Sequence, residues 1–225
     1  MSKTSIRATF RGGSKLFFES MLFYSLLAIF EAFGVTVSAY FFGDESSGLV
    51  YIHMLASVLI MFFTMSAVIV TASKRMNWRE LREFSPPDSI LWAVPTLLVA
   101  SLLYTLSILI GFLALIIPAL IALVVFSYVP YMAVFYQSDK SSDFRKSFEF
   151  SKYALGATIF FTLLSLVAEL PSMLFQNQYF TYQFLILFIS ALLTNYLQVL
   201  FLFLFHSLCL ATEVGHTSNS HTTNS

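Results

Sequence analysis

Cysteine occurs once in the 225 residues, as Cys209, so no disulfide can close within the chain and no cysteine-based zinc cluster can be assembled. Charge is also scarce. Charged residues make up 11% of the sequence and hydrophobic residues 58%, whereas a typical soluble domain carries about 25% charge. Twelve basic and twelve acidic residues cancel, which leaves no overall attraction for nucleic acid. Catalytic signatures are missing as well. There is no H-E-x-x-H, no G-x-S-x-G, no phosphate-cradling G-x-x-x-x-G-K-[ST] and no Gly-rich dinucleotide turn. Neither Glu31 nor Glu169 has a histidine at helical spacing that would make a metal pair. The expectation is a protein that is not an enzyme and that holds no cofactor.

What the sequence does have is apolar length. Mean hydropathy is +0.80, and Ser89 to Ser138 contains no Asp, Glu, Lys or Arg. Such runs are too long and too uniform for barrel strands, which need about 9 to 11 residues of alternating polarity. The fold class is therefore all-α, a polytopic membrane bundle. A single helix through that uncharged stretch would be roughly 75 Å long at about 1.5 Å per residue, against a hydrocarbon layer of about 30 Å. It must cross twice. The sequence "GFLALIIP" offers the reversal, because glycine accepts turn geometry and proline cannot continue a helix that precedes it. Gly111 and Pro118 are thus the structural turn residues.

The same length rule gives six transmembrane helices, at about 16–42, 49–73, 89–111, 117–137, 154–175 and 182–211. The first is expected to act as an uncleaved insertion signal, since it is longer than a signal-peptide core of about 7 to 15 residues. Residues 1–211 form one domain. The tail 212–225 is polar, lacks an apolar face and is expected to be disordered in the cytoplasm. All twelve basic residues fall on alternate connections: Lys3, Arg7, Arg11 and Lys15; Lys74, Arg75, Arg79 and Arg82; Lys140, Arg145, Lys146 and Lys152. By the positive-inside rule, both termini are cytoplasmic and the number of crossings is even.

The two longer basic connections read as interfacial helices. "KRMNWRELREFSPP" intersperses Trp78, Leu81 and Phe84 with charge, and "SSDFRKSFEFSKYA" opens on possible caps at Ser141 or Ser142 and spaces Phe144 and Phe148 one turn apart. Their cations suit anionic headgroups, so membrane lipids are expected partners.

The block "GFLALIIPALIALVVFSYVPYMAVFYQSDKSSDFRKSFEFSKY", residues 111–153, resembles the signature of the YciC-like bacterial inner-membrane proteins, and "RATFRGGSKLFFESMLFYSLLAIFEAF" is similar to the start of that family. Ala119 stands where the family usually has glycine. The resemblance implies a six-span protein of the bacterial inner membrane and brings no biochemical activity with it.

Function must then be sought in polar groups that lipid penalises. Glu31 lies mid-way along the first span and Glu169 in the outer half of the fifth; a central charge costs at least about 2.5 to 3.5 kcal/mol on insertion scales for comparable residues. Helical spacing aligns Ser20, Tyr24, Glu31, Gly34 and Ser38 on one span, and Thr158, Thr162, Ser165, Glu169 and Ser172 on another. With His53, Ser57, Thr64 and Thr71 along the second span and Asn195 and Gln198 of the last, these suggest a polar interior shared by spans 1, 2, 5 and 6. Two readings stand. The stripes are interhelical hydrogen-bond glue, or Glu31, Glu169, Asn195 and Gln198 form a site for a cation, a proton or a lipid headgroup. The first suits a protein of membrane homeostasis that contacts lipids or other inner-membrane proteins; the second suits a small transporter or channel.

Overall fold

A computed structural model describes the backbone of residues 6–42, 49–78, 81, 84–114, 116–136, 143–174 and 180–222, and their side chains except at 114, 143, 169, 172–174 and 213–222. Lys3, Arg79, Arg82, Lys140, Ser141, Ser142 and Tyr179, and the side chains of Glu169 and Ser172, lie outside the described residues. The described elements are helices: α1 (Ile6–Phe18), α2 (Met21–Phe42), α3 (Val50–Ser73), α4 (Ile90–Ala114), α5 (Ile116–Val125), α6 (Val129–Phe135), α7 (Asp143–Tyr153), α8 (Leu155–Leu174) and α9 (Phe180–Thr222). Five helical stretches are long and apolar enough to cross a membrane, namely α2, α3, α4, α5 with α6, and α9 up to Thr212; there are up to six if the bent pair α7–α8 is one span.

The uncharged stretch does fold back on itself. Helix α4 begins after Ser89, whose hydroxyl accepts the amide of Trp92 at 3.3 Å and so caps one free donor of the first turn. It ends at Ala114, and α5 starts two residues later. The two helices run antiparallel: the Tyr104 hydroxyl donates to the Leu123 carbonyl at 2.8 Å, and nearer the turn Gly111 lies against the backbone of Ala119. Gly111 and Pro118 therefore flank the reversal from inside the helices. The glycine allows close approach, and the proline occupies the first turn of α5, where a missing amide hydrogen costs nothing.

Four details differ from the sequence reading. The first span is shorter than 16–42, because α1 ends at Phe18 and α2 begins at Met21. Glu19, at the joint, is held from outside: Arg75 donates to its carbonyl at 3.3 Å and sits 3.9 Å from its carboxylate. The fourth span is interrupted at residues 126–128, just before Pro130, whose ring removes the amide that would bond Phe126. The connection from 74 to 89 shows no helix among its described residues. Trp78, Leu81 and Phe84 are all buried, so they point into the protein, and the Ser85 amide bonds the Phe135 carbonyl at 2.9 Å. Finally, helical backbone extends past 211 to Thr222; no proline interrupts it, and lengthening an existing helix needs no new nucleus.

One end of the bundle gathers the basic segments. Arg75 meets Glu19, Phe84 bridges Tyr136, Asn77 meets His206, and Lys146 of α7 stands over the Tyr136 ring at 3.6 Å. At the opposite end Ser38 of α2 bonds His53 of α3, and Tyr40 packs edge-on against Phe180 of α9. Cys209 is buried in α9.

Candidate functional site

Glu31 sits at the α2–α3 seam and is half buried. Thr64 donates to its Oε2 at 2.7 Å, and one turn further along α2, Gly34 admits the Ile60 side chain. A carboxyl group at this depth is thereby given a polar partner in place of water. Asn195 of α9 is buried and donates to the backbone carbonyl of Tyr24 at 3.3 Å, so its contact is with the first turn of α2, away from Glu31. Gln198 follows one turn later, and its Oε1 is buried with no hydrogen-bond donor among the described residues. Glu169 lies in α8, but its side chain is outside the described residues.

Part of the polar stripes is satisfied pairwise between neighbours or within their own helices, whereas the buried hydroxyls of Ser20, Tyr24 and Thr162 meet no hydrogen-bond partner among the described residues. Thr36, Ser66, Ser165 and Ser207 each donate to the carbonyl four residues back, a local bond that keeps a hydroxyl content in an apolar setting. Thr158 pairs with the Tyr128 hydroxyl at 2.8 Å, and Ser190 donates to the Ala168 carbonyl. Of these, the Thr158–Tyr128 and Ser190–Ala168 bonds join separate segments.

The basic end is closed by a feature the sequence reading did not assemble. Trp78 stacks on Phe135 with ring centroids 4.5 Å apart, and Tyr131 on Phe201 at 5.6 Å. Phe205 touches six rings of this layer, including Phe84, Tyr128 and Phe150. The Trp78 indole donates to the Ser73 carbonyl at 2.9 Å, and His206 bonds the Asn77 carbonyl at 2.8 Å. Aromatic residues from four separate segments thus form a plate across that end. The signal was in the sequence, as an excess of Phe with Trp near the basic clusters, but only tertiary structure shows that the rings face one another.

Beside the plate lies the interruption of the fourth span. The Val125 carbonyl is taken by α7, with Ser147 and Ser151 each donating to it at 2.9 Å, and the Val124 carbonyl accepts from Ser127 at 2.9 Å and from Ser151 at 3.1 Å. Both serines are buried. Helix α7 then turns 106° into α8. The amphipathic segment is a helix, as expected, and it wedges its serine face against the broken span, whose Val125 carbonyl its hydroxyls cover.

Next to this wedge is an apolar recess of about 230 Å³ between α4, α6 and α7, lined by Pro95, Val99, Ala100, Leu103, Ala133 and Phe144. Val99 and Leu103 are 52% and 47% exposed, so the recess opens outward. No family model matches the chain, and neither a curated protein nor a solved structure matches it.

Proposed function

We propose that this chain is a six-span protein of the bacterial inner membrane, with both termini in the cytoplasm, that acts without catalysis in membrane homeostasis by holding phospholipid, and through it other inner-membrane proteins, at its surface. The observation that carries this reading is the outward face of α4. Only 17% of its apolar length is buried, against 44% for α9, and the recess beside Val99 offers a lipid tail a seat between α4, α6 and α7. The position of the basic segments at one end supports the orientation, because cations left on the cytoplasmic side need not be translocated. The similarity of residues 111–153 to the YciC-like proteins supports the location, and that stretch runs from the α4–α5 turn to the α7 wedge.

Native mass spectrometry of the purified protein tests the reading. Phospholipid is expected to stay bound, and Val99→Trp with Ala133→Trp, which fills the recess, is expected to release it. The competing reading is a small transporter or channel using Glu31, Glu169, Asn195 and Gln198, and it is favoured by the Glu31–Thr64 pair at mid-membrane. Proteoliposomes that pass protons or cations, and cease to do so with Glu31→Gln, would establish that alternative.

A further inference from the structure

Helix α1 divides cleanly between two faces. Thr9, Gly13, Leu16 and Phe17 are buried, and the packing against α9 is close: a β-carbon on Gly13 would stand 2.6 Å from Leu200 Cδ2 and 3.1 Å from its Cα. Ser14 bonds the Tyr196 hydroxyl at 2.7 Å, and Phe10 reaches Phe161 of α8 with centroids 5.4 Å apart. The rotation of α1 about its own axis is therefore fixed. Arg7, Arg11 and Lys15 occur four residues apart on the outer face and all are exposed. Lys15 approaches Glu19 at 3.9 Å, while Arg7 and Arg11 meet no carboxylate among the described residues. Phe18, 63% exposed, continues the same face at its inner end.

Topology alone does not ask for this. The positive-inside rule is satisfied by cations anywhere on the connection, whereas here they are aligned on one side of a helix whose other side is locked onto the bundle. We propose that the outer face of α1 binds the headgroups of anionic phospholipids in the cytoplasmic leaflet, with Arg7 and Arg11 on the phosphates and Phe18 among the acyl chains. This names the lipid class for the lipid-holding reading above and rests on it. An arginine fork fits a phosphate with paired hydrogen bonds, and a fixed stripe loses little entropy when a lipid arrives.

The test uses the full chain in detergent micelles doped with equal phosphatidylglycerol and phosphatidylcholine, read by native mass spectrometry. Wild type is expected to retain phosphatidylglycerol preferentially. The double variant Arg7→Gln, Arg11→Gln keeps the length and helix propensity and should weaken that retention by about 25-fold, about fivefold per cation. Arg145→Gln with Lys152→Gln removes the same charge from α7 and should leave the preference in place. Arg7→Lys with Arg11→Lys should restore much of it, which separates binding from misfolding. An unchanged preference in the double variant, or an equal loss in the α7 control, overturns the proposal. Retention of both lipids without preference would sink it while leaving the broader reading intact; retention of neither would sink both.

Discussion

A β-carbon on Gly111 would stand 2.7 Å from the Cα of Ala119, inside the distance at which real β-carbons are found. The obstacle is backbone, so no side-chain rotation can relieve it. Gly111→Ala is therefore expected to destabilise the α4–α5 hairpin by about 1 to 3 kcal/mol, the usual range for forced overpacking. Thermal unfolding in detergent measures it. Ala119→Gly, by contrast, should not rescue the variant, because the collision is with main-chain atoms as well; full rescue would contradict the geometry.

Thr64 and Glu31 make a second test. Removing the hydroxyl with Thr64→Val takes away the donor 2.7 Å from Glu31 Oε2 and should cost about 1 kcal/mol. Glu31→Gln leaves a carbonyl oxygen in the same place and should shift stability by less than about 0.5 kcal/mol. A silent Thr64→Val beside a severe Glu31→Gln in denaturant titrations would mean that the carboxyl serves something other than this bond.

Ser147 and Ser151 should be worth more than their size suggests. Each donates to a carbonyl that the interrupted span leaves free. The double variant Ser147→Ala, Ser151→Ala strands Val125, and we expect a loss of about 1 to 3 kcal/mol, together with faster protease cleavage near Val125. Either single variant should lose less, since the other serine still reaches the same oxygen.

Orientation is checked by labelling. In a Cys209→Ala background, Ser46→Cys should react with a membrane-impermeant maleimide applied to spheroplasts, and Glu149→Cys on α7 should not. Reaction at 149 from outside would place a basic connection on the wrong face and end the proposed topology.

Much of the architecture could be read from length and charge. The hairpin between Gly111 and Pro118 followed from the mismatch between fifty uncharged residues and one bilayer, and the gathering of basic segments at one end followed from their alternation. What escaped was settled by contacts between distant segments. Nothing local breaks the chain at Glu19; Arg75, 56 residues away, holds it there. Trp78, Leu81 and Phe84 fit one face of a helix as well as they fit a buried plug, and Phe135 and Phe205 decided the matter. Arg7, Arg11 and Lys15 counted in the sequence only as basic residues before the first span, and their alignment on a helix emerged only with α1 and with Leu200 and Phe203 packed on Gly13 and Gly12. Glu31 was legible as a residue needing a partner, though its partner was not.

The wedge of α7 also sets an order of events during synthesis. While residues 116 to 135 have left the ribosome and Ser147 and Ser151 have not, the Val125 carbonyl lacks the hydroxyls that will cover it, although Val124 already has that of Ser127. That stretch completes its hydrogen bonds only after α7 has emerged, so the two segments must reach their final packing together.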